Sequence, residues 1–197
     1  MQNNIELEMR AEISSVECKS ILKKLKGRKF TKTKRLTVMF LGEFEGREYD
    51  IRVRASSDKR AEVVIKKGEY YKHDRIELSA EIGKKQFMDF VKIFSLFGFR
   101  SKITTRINYL FEMGDNIFLT IVKAGGIAYV EVEKMSNEKN IEANKKQITA
   151  IINSFGLVPL TSESFNNLCH RLSLFSDTPF SGEERDFVYL KKTISKY

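Results

Sequence analysis

Apolar and polar residues alternate through most of the first two-thirds of the chain. Ile5, Leu7 and Met9 interleave with Glu6, Glu8 and Arg10, so a strand over residues 4–13 carries that charged triplet on one face. The same period of two predicts strands over residues 36–41, 48–54, 60–66, 75–82, 99–113, 117–122 and 127–133. The Gly42 to Gly46 region, Gly114-Asp115-Asn116 and Gly125-Gly126 supply turns between neighbouring strands. Helical spacing interrupts this twice. Residues 16–26 follow a Ser14 or Ser15 cap and stop at Gly27; over residues 84–97, Phe87, Phe90, Val91, Phe94 and Phe97 form one apolar stripe closed by Gly98. After Met135 the pattern turns helical: Ser136 caps a helix to about Phe155, Thr161 or Ser162 opens another to about Leu174, and a weaker basic helix covers residues 182–197.

No shift in composition marks a domain boundary, so residues 1–197 read as one unit, strand-rich over about 4–135 and helical over about 136–197. A hydrophobic share of 42% and an aromatic share of 11% suffice for a packed core rather than disorder. The net charge of +9 favours an anionic partner: nucleic acid, a phosphorylated small molecule or an acidic membrane surface. Cys18 and Cys169 are far apart, as are His73 and His170, which argues against a thiolate or histidine metal site and against a histidine-based triad. Isolated cysteines, with no secretory segment ahead of the first strand, predict reduced thiols in the cytoplasm. No apolar run approaches the roughly 20 residues that span a bilayer.

The charged strand faces are sorted by sign. Acids come as Glu6-x-Glu8 and Glu131-x-Glu133, and arginines as Arg52-x-Arg54; Lys66 shares a face with Glu62, and Lys102 and Arg106 share one with Thr104 and Asn108. One such strand is explained by a solvated sheet face. Sorting is not, because like charges at i, i+2 require opposite charges, a metal or an anionic ligand nearby. If the sheet closes with this face inward, the lumen has an acidic and a basic side. Carboxylates suit magnesium or manganese, and arginine and lysine suit phosphate oxygens. The outward apolar face then needs cover, from the Phe87 stripe, from the C-terminal helices, or from a second subunit in a homodimer. Phe40, Phe44 and Tyr49 fit core, barrel rim or interface.

On these residues the chain resembles the CYTH superfamily, the triphosphate tunnel metalloenzymes, over about residues 5–170. The family's Glu-x-Glu-x-Lys looks like Glu6, Glu8 and Arg10, with arginine for lysine. Its Arg-x-Arg looks like Arg52-Val53-Arg54, its lysine strand like Val64-Ile65-Lys66, its Arg-x-x-Tyr like Arg106 to Tyr109, and its closing Gly…Glu-x-Glu like Gly126 with Glu131 and Glu133. Ser164 to Leu168 is similar to its C-terminal motif. The resemblance implies an α+β protein, an eight-stranded antiparallel β-barrel with helices packed outside. It implies Mg2+ or Mn2+ held by Glu6, Glu8, Glu131 and Glu133, phosphate bound by Arg10, Arg52, Arg54, Lys66 and Arg106, and chemistry at Glu6, Glu8 and Lys66. Lys191 or Lys192 matches a basic residue that reaches the tunnel in relatives. The family's Leu-Asp is Leu119-Thr120 here, which removes a carboxylate from the metal site.

The expected ligand is a triphosphate-containing small molecule, and the expected reaction is hydrolysis of inorganic, thiamine or nucleoside triphosphate. Cyclic AMP formation from ATP and binding without chemistry are the alternatives. The Tyr70-Tyr71-Lys72-His73 segment reads as a solvated turn rather than a stacking platform for nucleic acid.

Overall fold

A computed structural model describes residues 5–69 and 74–197; the segment Tyr70 to His73 lies outside the described residues. The strands are β1 (Ile5–Glu12), β2 (Phe30–Phe44), β3 (Arg47–Ser56), β4 (Ala61–Lys67), β5 (Asp74–Ile82), β6 (Arg100–Gly114), β7 (Ile117–Ala124), β8 (Ile127–Ser136) and a short β9 (Thr178–Phe180). The helices are α1 (Ser15–Lys24), α2 (Phe87–Ser95), α3 (Ile141–Ser154), α4 (Ser162–Phe175) and α5 (Glu184–Ile194).

Eight strands form a closed antiparallel barrel in the order β2-β3-β4-β5-β1-β8-β7-β6, with β6 pairing back onto β2 from Phe30↔Phe111 to Leu41↔Arg100. The expected α+β barrel with helices outside is therefore present. β7 pairs with β6 only from Ile107 onward, and β9 covers part of the remaining edge at Ser101 to Ile103. Two hairpins need left-handed backbone at both turn residues, Glu45-Gly46 and Asp115-Asn116, the geometry that matches strand twist.

Several boundaries differ from expectation. β2 starts at Phe30, not residue 36. Over its first turn of the barrel Thr31 and Thr33 alternate with exposed Lys32 and Lys34, so neither face is apolar and the alternation is invisible. β8 continues through Ser136, which moves the cap to Asn137 and a short 3-10 turn before α3. α2 is shorter than the stripe that announced it: residues 84–86 form a 3-10 turn, and Phe97 lies beyond its end, exposed.

Because charged residues point inward, the apolar strand faces point outward and the helices cover them. α1 and α3 lie over β1, β7 and β8, burying Leu7, Leu119, Val132, Ile148 and Ile152. α2 and α5 lie over β2 and β3, burying Phe40, Val53, Phe87, Val91 and Leu190. Each such side chain contributes roughly 1.5–3 kcal/mol by leaving water. Phe40 is thus core, Tyr49 is partly buried against the same cluster, and Phe44 is exposed. α4 packs Phe165, Leu168 and Leu172 against Val122 and Tyr129. It is tied to β1, where Leu160 N–H donates to the Arg10 carbonyl at 2.7 Å. Among the described residues no helix is long and apolar enough to cross a membrane.

Candidate functional site: a charged tunnel

The barrel lumen is a cavity of about 360 Å3. Strand parity delivers Glu6, Glu8 and Arg10 from β1, Arg52 and Arg54 from β3, Lys66 from β4, Arg106 from β6, and Glu131 and Glu133 from β8 into it. Every residue the sequence proposed for the site lines this one space except Lys191 and Lys192, which are exposed on α5, outside the barrel.

The acidic side is built on the β1–β8 pair, whose register sets Glu8 opposite Glu133 and Arg10 opposite Glu131. Arg10 bridges Glu8 and Glu131, with Nε donating to Glu131 Oε1 at 3.0 Å, and its guanidinium lies 4.2 Å from the centre of the Phe165 ring. A broad planar cation can make these contacts together; a lysine could not. Lys66 is also on this side rather than with the bases. Its ammonium pairs with Glu6, lies 2.9 Å from Glu77 and 3.8 Å from Glu8, and its side chain is 3% exposed. Three carboxylates from β1 and β5 converge on it because Lys66 pairs in register with Glu77, next to β1.

These contacts split the carboxyl groups. Burial would raise Glu8, but Arg10 and Lys66 outweigh it and hold Glu8 ionised well below the usual range. Burial opposes the ionisation of Glu77 too, and Lys66 overcomes it. Glu6 is raised by burial and by the charge on Glu8. Glu131 is raised by burial and Glu8, and shares a hydrogen bond with Glu8. Glu133 is pushed up to about 8 by burial together with Glu8, Glu6 and Glu131. No side-chain hydrogen bond or ion pair to the Glu133 carboxylate occurs among the described residues.

The basic side lies on β2, β3 and β6. Arg54 Nη1 donates to Glu62 at 3.3 Å, and Arg52 is clamped by Asp50 through bonds of 2.8 and 2.6 Å. Burial raises Asp50, and Arg52, Arg75 and Lys66 lower it, with a net fall. Arg75 also donates to Asp50, at 3.3 Å. Arg106 reaches Asp177 at 2.6 Å and Ser176 at 3.2 Å, and Lys102 lies 2.7 Å from Asp177. Arg35 stands opposite Arg106 in the β2–β6 register; its Nε is buried with no hydrogen-bond partner among the described residues, and burial and Arg54 depress its pKa.

Sequence reasoning missed Asp50, Glu77, Arg35 and Asp177. Parity marks the first two, since Asp50 precedes Arg52 by two and Glu77 lies in the 75–82 strand. Arg35 was hidden with the start of β2. Asp177 sits in the α4–β9 connection, where no period applies.

The donor set suits a hard divalent cation, being carboxylate oxygen throughout, and the unpaired, crowded Glu133 marks a deficit of positive charge beside Glu6, Glu8 and Glu131. Among the described residues no group of three or more His, Cys, Asp or Glu side chains is spaced to hold a metal ion. Thr120, 7% exposed, stands opposite Glu131 on β7 and adds only a hydroxyl.

Solved structures share this architecture. A protein from Pyrococcus horikoshii superposes with a TM-score of 0.67 at 12% identity, over 84% of this chain and 98% of that one. A candidate adenylate cyclase from Vibrio parahaemolyticus gives 0.62 at 13% identity, covering 83% and 93%. A candidate adenylyl cyclase from Hippeastrum, described as having a dominant triphosphatase activity, gives 0.53 at 14%, covering 79% and 89%. No family model and no curated protein matches the chain. At these identities the likeness is one of fold alone, the CYTH-like tunnel barrel.

Proposed function

We propose that the tunnel binds a triphosphate together with Mg2+ or Mn2+ and hydrolyses it. The observation that carries this reading is the sorting of charge across one closed lumen, with Arg35, Arg54 and Arg106 on β2, β3 and β6, and Glu6, Glu8, Glu131 and Glu133 on β1 and β8. Arg35, Arg54 and Arg106 grip phosphate oxygens, arginine by paired hydrogen bonds, and hold the chain extended. Glu6, Glu8, Glu131 and Glu133 would hold the metal, whose contribution is to offset phosphate charge and make bound water more acidic. Lys66 keeps Glu6 and Glu8 in place until the ligand arrives. A water oxygen attacks the terminal phosphorus, the bridging oxygen leaves with the bonding electrons, and the water proton passes to a tunnel carboxylate.

A second reading is favoured by Thr120 and by the neutralisation of Glu8 through Arg10: a tunnel that binds the triphosphate without chemistry. Incubation of the purified protein with tripolyphosphate, thiamine triphosphate and ATP, with each metal in turn, separates the readings. Phosphate release supports hydrolysis, pyrophosphate with cyclic AMP supports a cyclase, and binding with no product in any combination leaves the binding module.

A further inference from the structure

The excess positive charge of the chain is gathered in one segment. Between Lys19 and Arg35 stand nine basic residues and no acidic one, and the remainder of the chain carries equal numbers of each sign. Arg35 lines the lumen; the other eight, from Lys19 on α1 to Lys34 on β2, are exposed. No ion pair to these eight occurs among the described residues, whereas Arg60 and Arg171 elsewhere on the surface pair with Asp58 and Glu12. Glu17 is at the far end of α1, where its carboxylate accepts from the Ser14 N–H. Aromatic rings are set among these cations. Thr31, Thr33 and Arg35 line the lumen, so strand alternation puts Phe30, Lys32 and Lys34 on the outer face of β2. Register sets Phe30 opposite Phe111 and Lys32 opposite Tyr109 on β6. The Phe30 ring stacks on Phe111 at 5.3 Å and lies 6.1 Å from Tyr109. Lys32 and, from β7, Lys123 bring their ammonium groups to 5.4 and 5.5 Å from the centre of the Tyr109 ring. Phe111 is buried in the core beneath α1 and α3, and Phe30, 50% exposed, carries that aromatic row out to solvent.

We propose that this outer face, formed by α1, the start of β2 and the adjoining strands β6 and β7, binds single-stranded nucleic acid. The phosphates follow the basic run, and bases stack on Phe30 and on the accessible edge of Tyr109. Three observations select this ligand among polyanions. Inorganic polyphosphate matches the charge but has nothing to lay on the rings. A duplex keeps its base faces stacked inside and away from them. An acidic membrane needs apolar side chains that project past the lysines, whereas Phe30 rests on Phe111, and Val16, the exposed apolar residue of α1, stands beside Glu17 at the other end of that helix. The surface lies on the opposite side of β2 from the lumen, so it requires neither a triphosphate end nor a metal, and it stands whether or not the tunnel hydrolyses anything.

The test is fluorescence anisotropy of an oligothymidylate of roughly 12 nucleotides, a length within the range that such surfaces cover. The strand carries a 5′-hydroxyl, so it offers the tunnel no triphosphate, and a chelator removes divalent metal. With about four to six phosphates neutralised, affinity should fall on the order of 100-fold as salt rises from about 50 to about 200 mM. Phe30→Ala should weaken binding about tenfold at every salt concentration, because stacking releases no counterions, and Phe30→Tyr should retain the affinity. Lys29→Glu with Lys32→Glu, both at exposed positions, should weaken binding and flatten the salt dependence by about one to two contacts. Thermal melts confirm that each variant is folded, and if Phe30→Ala does not fold, the lysine pair decides alone. Absence of binding at low salt, or binding unchanged by the folded variants, would overturn the proposal. Displacement by inorganic polyphosphate at equal phosphate concentration, with no effect of Phe30→Ala, would leave a purely electrostatic surface in its place. Sedimentation with phosphatidylserine vesicles but no oligonucleotide binding would assign the surface to a membrane instead.

Discussion

Arg106 gives its guanidinium to Asp177 at 2.6 Å, in the lumen where a phosphate oxygen would otherwise come. The Asp177 side chain is 1% exposed and also holds Lys102, so one carboxylate from the α4–β9 connection occupies two bases of the tunnel wall. Asp177→Asn should lower stability by on the order of 2 kcal/mol, because two cations lose their counter-charge. Tripolyphosphate should restore more than is lost. Thermal melts with and without it check this: the variant melts lower alone and shows the larger ligand-induced rise. A smaller rise than wild type would mean that Asp177 helps bind phosphate rather than competing with it.

Arg35 makes the opposite case. Its Nε has no hydrogen-bond partner among the described residues and its charge faces Arg54, so Arg35→Ala should leave the melting temperature unchanged or slightly higher. Tripolyphosphate affinity should fall about tenfold, the loss of one charge-assisted contact. Calorimetry and a thermal melt on the same preparation provide both readouts. An unchanged affinity would place the phosphates away from β2.

Under the proposed function, Glu133 would tie metal binding to pH. Its folded pKa of about 8 lies above the ordinary carboxylate value of 4.5, so folding favours its protonated form. That contribution to stability is complete below the ordinary value and is lost as pH rises through 8. A metal needs the ionised form, so apparent Mn2+ affinity should increase on the order of 10–100-fold from pH 6 to pH 8, with proton release. Calorimetry in buffers of different ionisation enthalpy measures the protons. Glu133→Gln should flatten the slope; a slope that persists would assign it to Glu6 or Glu131, which are also raised.

Thr120→Asp places a fifth carboxylate opposite Glu131. Without metal the variant should be less stable by about 1–3 kcal/mol, since a buried acid gains no cation. With Mn2+ it should recover and bind the ion more tightly than wild type. Denaturant melts with and without Mn2+ decide this, and equal metal affinity would remove Thr120 from the neighbourhood of the ion.

The lumen was legible where charges alternate with apolar residues. Glu6, Glu8, Arg52, Arg54, Glu131 and Glu133 stand beside strong β-formers; parity puts them on one face of each strand, and the sorting of their charges points to an inward face. Arg35 was not legible because its strand is polar on both faces at that end. The resemblance gives Lys66 a place in phosphate binding and in the chemistry; its carboxylate neighbours are set by the β4–β5 register, which brings Glu77 and β1 to it and which no local pattern encodes. The place of Asp177 depends on where α4 settles, a packing outcome of Phe165, Leu168 and Leu172. Helical period predicted the helix but not its resting place.

The closure of β1 against β8 also fixes an order in time. Arg10 and its partner Glu131 are 121 positions apart, whereas β2 meets β3 through a two-residue turn. Local hairpins can form as the chain is synthesised, but the acidic row waits until β8 exists. Until then β1 has only its short pairing with β5, and one of its edges stands open. A nascent or truncated chain ending before β8 would therefore carry an exposed, sticky strand and only half of the acidic row, and the slow step of folding should be the docking of the first strand onto the eighth.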